Sequence, residues 1–162
     1  MLKPKQPQLG VCCSLTKSAV AFTLAGCTSV PFALGDKDAE TRLKAFPVLP
    51  GKTSLFVCRE DTGYAASSLT TEVLVSGSSI GSVKPGTFVH GVLAPGRHTI
   101  EMRNDGPHRG TAIQIDAKAS ELAFLWIGVT GRGFGQYTID FFQTDEQARA
   151  CVAKAAYAAK VR

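Results

Sequence analysis

Nowhere in these 162 residues is there an apolar run long enough to span a bilayer as a helix, which takes about 20 residues. The longest uninterrupted stretches are residues 18–24 and 122–129, so no transmembrane helix is expected. Histidine is scarce, with three in the chain. His90 and His98 flank the turn Ala94-Pro95-Gly96, and in a hairpin they would approach diagonally on one sheet face. A zinc site needs three or four ligands, and no Cys or Asp stands beside this pair at ligand spacing. Both are therefore expected as strand histidines, and neither a metal nor a cofactor is expected. The chain also lacks a convergent set of acid, base and nucleophile, so no enzymatic activity is expected.

Two short motifs resemble catalytic ones without the context their chemistry requires. Gly77-Ser78-Ser79-Ile80-Gly81 matches the G-x-S-x-G elbow of serine hydrolases. That elbow works at a strand-to-helix turn, where the serine is thrust out at a helix start. Here Ser82-Val83-Lys84-Pro85-Gly86 follows, which cannot form a helix of any length, so a hairpin turn is expected. Gly131-Arg132-Gly133-Phe134-Gly135 has the glycines of a phosphate loop. A phosphate loop opens a helix, whereas a strand pattern, Tyr137–Phe142, follows here.

What is present begins with Leu24-Ala25-Gly26-Cys27. Lys17 precedes the apolar run Ser18–Leu24, and small residues then lead to a cysteine. This is the layout of a bacterial secretory signal, and L-A-G-C resembles the lipobox, after which the cysteine receives lipid. Cys12 is a poor lipobox cysteine, because bulky Val11 precedes it. Residues 1–26 are read as signal peptide, with Cys27 lipidated and the membrane as partner through that lipid. No Asp follows Cys27 as an inner-membrane retention signal would in enteric-type bacteria. The expected location is the cell envelope, facing the periplasm, on the outer membrane rather than the inner.

Signal removal also changes the charge. The full chain has 18 basic and 13 acidic residues, a formal net charge of +5. Lys3, Lys5 and Lys17 leave with the signal, so 15 basic residues face 13 acidic ones, a balance of +2. No basic stripe remains, and nucleic acid is not an expected partner. The remaining 136 residues suffice for one domain with a hydrophobic core.

Residues 27–51 read as the lipidated cysteine and a linker, with Asp36, Asp38 and Glu40 able to open a short helix whose sparse apolar face is Ala39, Leu43 and Phe46. From residue 52 to 162 the pattern is that of a domain. Short strands are expected near 54–59, 72–76, 80–83, 87–92, 97–103, 111–117, 122–129 and 137–142, separated by Gly, Pro, Asn and Asp turns. The fold class expected is mainly β, an antiparallel sandwich of about seven to eight strands. One C-terminal α-helix closes it. Thr144 or Asp145 can cap that helix, and Ala148, Cys151, Val152, Ala155, Ala156 and Ala159 form its apolar stripe.

The run Val73–Gly81, then Pro85-Gly86-Thr87-Phe88, then Leu93–Ile100 resembles PEGA-like and transthyretin-like sandwich modules. There a strand ending V-x-V-x-G-x-x-I-G leads to G-x-F and L-x-P-G-x-H-x-I. With the lipobox before it and the strand 122–129 after it, the chain resembles a bacterial lipoprotein family, the domain-of-unknown-function family numbered 2846. The resemblance implies the sandwich and the lipid anchor and brings no catalytic residues. Ser76 stands where such modules often carry Asp.

Ile113, Ile115, Phe124, Trp126, Ile139 and Phe141 alternate along the most apolar strands and are expected in the core. Trp126 with Phe124, Phe134, Tyr137, Phe141 and Phe142 forms a set of aromatics. Alternating on strand faces, such residues more often fill the gap between two sheets than line a pocket. The function expected is a non-enzymatic, lipid-anchored module that binds another envelope protein or a glycan. The alternative is a carrier of a small apolar ligand or lipid in a pocket lined by Phe124, Trp126, Tyr137 and Phe141. Two cysteines, Cys58 and Cys151, remain once the signal and the lipid account for the other three. In an oxidising compartment they either pair, stapling helix to sheet, or stay as two buried thiols.

Overall fold

The computed structural model describes residues 29–61, 63, 67–105, 111–133, 136–142 and 145–161, with the side chains of 130–133, 136–139 and 142 outside the description. Two sheets face each other. In chain order the strands and helices are β1 (Ala33–Leu34), α1 (Lys37–Lys44), β2 (Thr53–Arg59), β3 (Thr71–Val75), β4 (Ser78–Val83), β5 (Thr87–Leu93), β6 (Gly96–Asn104), β7 (Ala112–Ala117), β8 (Glu121–Gly133), β9 (Gln136–Phe142), α2 (Asp145–Lys154) and β10 (Ala156–Ala159). The larger sheet has the order β1-β10-β5-β2-β8-β9 and the smaller β4-β3-β6-β7. The protein is a β-sandwich with a helix near its C-terminus.

β2 lies inside the larger sheet, and all seven of its residues are buried. Its unbroken Leu-Phe-Val-Cys run suits a strand covered on both faces. Leu55 and Val57 point into the gap between the sheets, where they meet Val73, Val83, Val89, Ile100, Leu125 and Ile127. Phe56 and Cys58 point the other way, toward α2, with Phe88, Phe124, Ala148 and Val152. The molecule therefore has three layers: small sheet, large sheet, helix.

The pairing is not antiparallel throughout. β2 runs parallel to β8, and β10 runs parallel to β5. Parallel pairing needs a long connection, and β2 reaches β8 only after the whole small sheet has been built. β5 and β6 lie in different sheets, because Ala94-Pro95 carries the chain across between them. His90 and His98 consequently do not share a sheet face.

The G-x-S-x-G stretch is a hairpin. Val75 pairs with Ser78, and both turn residues have positive φ, 47° at Ser76 and 80° at Gly77. Two such residues suit the tight turn that matches strand twist. β4 follows at once, with no helix behind the serines.

The C-terminal helix is shorter than its alanine pattern predicts. It ends at Lys154, and Ala156–Ala159 form β10 between β1 and β5. Helix propensity favours alanine, but here the strand satisfies backbone groups on both sides. Ala156 N–H donates to Gly86 O at 2.9 Å, and Tyr157 N–H donates to the Glu40 carboxylate at 3.1 Å.

The stretch expected as a linker is laid against the body from Val30 onward. Asp36 caps α1 by accepting from Ala39 N–H at 2.7 Å. β1 pairs with β10, and Phe32 packs on the inter-sheet core. Phe46 takes a left-handed φ of 50° just past the helix, a conformation usually left to glycine, with its ring set among other aromatics.

Candidate functional site

Cys58 near the end of β2 and Cys151 on α2 form a disulfide, with Cα atoms 6.0 Å apart and a sequence separation of 93. Small residues bring the helix close. Ala148, Val152 and Ala155 are buried against Phe56, Phe88 and Phe124. Phe56 and Phe124 stack at 5.3 Å between ring centroids, and Phe46 meets both edge-on at 5.4 and 5.3 Å. The Arg149 guanidinium lies 4.3 Å from the centroid of Phe124 and 5.0 Å from that of Phe46. Tyr157 packs on Phe88 at 5.5 Å.

The aromatics singled out from the sequence do not form one cluster. Phe124 belongs to the layer under α2 and is 3% exposed. Trp126 stands on the same face, half-buried, at the edge of that layer. Phe141 pairs with Ile127 in register and packs on the opposite, inter-sheet side. The alternation of a strand places neighbours in sequence on opposite faces, so Phe124 and Phe141 cannot line one pocket. Ile113 and Ile115 are half-buried on edge strand β7. The side chains of Tyr137 and Ile139, and all of Phe134 and Cys27, lie outside the described residues.

A cleft of about 570 Å³ opens beside the disulfide. Glu60 and Asp61 follow directly from β2, Gly86 comes from the turn before β5, and Trp126 from β8. Gln147, Cys151 and Lys154 face it from α2. Carboxylates, an amide, an ammonium group and an indole thus share one concavity. A shallower depression of about 420 Å³ runs along Leu122–Leu125, with Ile115 and Asp145. Among the described residues no three His, Cys, Asp or Glu side chains gather as a metal site.

The sequence reading passed over Glu60, Asp61, Gln147 and Lys154. Their only local signal is two acidic residues immediately after a buried strand. It did not bring Phe46, Phe56, Phe88 and Tyr157 together, because their meeting depends on the order of strands.

Polar groups brace the same end of the sandwich. Arg59 is fully buried, and its Nη1 donates to Leu69 O at 2.6 Å and to Thr71 Oγ1 at 3.3 Å. Thr71 Oγ1 donates in turn to Asn104 Oδ1 at 2.7 Å. Gly86 N–H donates to Arg59 O at 3.0 Å, joining the cleft wall to this network. Glu40 takes hydrogen bonds from Lys44 and Tyr157 N–H, and with Lys37 beside it these hold its carboxyl at about 2. Burial beside Phe56, 4.8 Å away, pulls the His90 imidazole below its usual value of 6.5. His98 Nε2 lies 2.8 Å from Ala94 O, at the far turn.

The chain matches no family model, and no curated protein or solved structure is detectably similar to it. Among the described residues no helix is long and apolar enough to cross a membrane.

Proposed function

We propose that this protein is a lipid-anchored, non-enzymatic module of the bacterial cell envelope, held by Cys27, facing the periplasm from the outer membrane, and binding an envelope glycan in the cleft beside the disulfide. The observation that carries the glycan reading is the chemistry of that cleft. Trp126 offers an apolar surface to the C–H face of a sugar ring, while Glu60, Asp61, Gln147 and Lys154 offer donors and acceptors to its hydroxyls. The apolar-carrier alternative has less support, since the aromatic rings under α2 pack on one another and on Arg149. Kinship with the lipoprotein family numbered 2846 belongs to the same proposal. Its support is the run from Val73 to Ile100, which forms a hairpin and two crossings between sheets.

Trp126 is the one tryptophan of the chain, so its fluorescence reports on the cleft directly. Titration with soluble peptidoglycan fragments and lipopolysaccharide core oligosaccharides should shift its emission saturably, and Trp126→Ala should abolish binding measured by calorimetry. Silence toward every saccharide tested removes the glycan reading. Cys27→Ser should release the protein from membranes or leave the signal uncut. Unchanged fractionation and migration would remove the anchor.

A further inference from the structure

Charge is unevenly divided between the two walls of the cleft. Glu60 and Asp61, directly after β2, belong to one wall. Gln147, Ala150, Cys151 and Lys154 recur at i, i+3, i+4 and i+7, so a single face of α2 makes the other. The Cys58–Cys151 disulfide ties the walls together, so little ordering is left for a ligand to impose on them.

The Asp61 carboxylate is held by backbone. Its Oδ1 accepts from Gly63 N–H at 3.1 Å, and its Oδ2 takes no hydrogen bond among the described residues. Gly86 lies against that second oxygen. Its φ is 72°, and a Cβ there would stand 3.7 Å from Asp61 Cβ and 4.0 Å from Oδ2, so any side chain at 86 would crowd the carboxylate. Gly86 is itself fixed, its N–H donating to Arg59 O at 3.0 Å and its carbonyl accepting from Ala156 N–H at 2.9 Å. Among the described residues Glu60, Asp61 and Lys154 form no ion pair with one another or with any other side chain. α2 ends at Lys154, so the negative end of its dipole meets the cleft as well. Among the described residues, two carboxylates and a helix C-terminus thus stand against one ammonium group, and the balance favours a cation.

We infer that the sugar this cleft selects carries a free amine: a hexosamine with its nitrogen unacetylated and protonated, held by Glu60 and Asp61 beside the Trp126 indole. The inference rests on the glycan reading proposed above and narrows it. An ammonium group on the ring donates charge-assisted hydrogen bonds to carboxylates, and an aromatic face attracts the same charge. An N-acetyl group is neutral, and its bulk would strip water from the two carboxylates without supplying a counter-charge.

Glucosamine oligomers and their fully N-acetylated counterparts of equal length test this. Each is titrated into the oxidised protein in mildly acidic, low-salt buffer, where the amines are charged, with Trp126 emission and calorimetry as readouts. The glucosamine oligomer should bind about tenfold more tightly or better, the fold-change of one charge-assisted hydrogen bond. Added salt should shrink that preference. Glu60→Gln combined with Asp61→Asn should bring the two affinities together, while asparagine keeps an acceptor for Gly63 N–H; Lys154→Ala should retain the preference. Equal affinities, a preference for the N-acetylated oligomer, or a preference that survives Glu60→Gln with Asp61→Asn overturns the inference and leaves the glycan reading standing. Silence toward both oligomers, while other saccharides bind, does the same. Spermidine, an amine without a sugar ring, completes the set: binding as tight as that of the glucosamine oligomer overturns the glycan reading, and the hexosamine with it, and leaves selectivity for an amine.

Discussion

Gly35 and Tyr157 are in contact through backbone and ring together. Gly35 N–H donates to Tyr157 O at 2.9 Å, and a Cβ on residue 35 would fall 2.2 Å from Tyr157 Cδ1. The ring has little freedom to retreat, because it packs on Phe88. Gly35→Ala should therefore destabilise the protein by about 1–3 kcal/mol through overpacking. Chemical denaturation measures it, and limited proteolysis should show earlier cutting between residues 30 and 46. Tyr157→Ala in the same chain should recover part of the loss. An unchanged midpoint for Gly35→Ala would mean that β1 does not lie on β10.

Removing the disulfide should cost about 2–5 kcal/mol, since it closes a long loop. The paired variant Cys58→Ser, Cys151→Ser and the reduced wild type should unfold at nearly the same urea concentration, below the oxidised protein. Protein beginning at Cys27 with that thiol chemically blocked, denatured and unreduced, should carry no other reactive thiol. Two reactive thiols there would mean that Cys58 and Cys151 are not joined.

The layer under α2 should dominate the response to truncation. Phe124→Ala and Phe56→Ala should each cost about 3–5 kcal/mol, because both rings are almost wholly buried. Arg149→Ala should cost about 0.5–2 kcal/mol, through loss of its stacking on Phe124 and Phe46. A cost below about 1 kcal/mol for Phe124→Ala would place that ring outside the core.

Stability should fall in two steps as pH drops. His90 has a depressed pKa, so the fold favours its neutral form, and its Nε2 finds no hydrogen-bond partner among the described residues. Its contribution is complete above the unfolded value of about 6.5 and declines as pH falls below it, as the folded state must bury a charge. Glu40 behaves likewise at lower pH: its stabilisation is complete above about 4.5 and is lost as pH falls through about 2. Denaturation midpoints taken from pH 8 to pH 2 should show both declines. His90→Leu should flatten the first and Glu40→Gln the second. A first decline that persists in His90→Leu would assign it to another group.

Alternation and turn chemistry are local properties, and for that reason the existence of β2 to β9 was legible, though β8 runs on to Gly133, past its expected end at Val129. The paired positive φ values at Ser76 and Gly77 follow from the same local logic, as does the acidic start of α2. The resemblance of Val73–Ile100 to sandwich modules pointed to the same two-layer body. Which face each aromatic covers was not legible, because that depends on strand order. Phe124 and Phe141 sit in equally apolar strands and end on opposite sides of one sheet.

What the chain determined by itself is its period: eight strands, a helix start at Asp145 and two cysteines, Cys58 and Cys151, within the stretch that reads as a domain. Tertiary structure decided what non-local pairing controls. It turned Ala156–Ala159 from helix into a strand, because β5 on one side and β1 on the other satisfy that backbone. It folded residues 30–46 onto the body through Asp105, Lys84 and Tyr157, partners that lie 50 or more residues away. It set Glu60 and Asp61 opposite Gln147 and Lys154 across the disulfide, since only the packing of α2 on β2 brings those segments together.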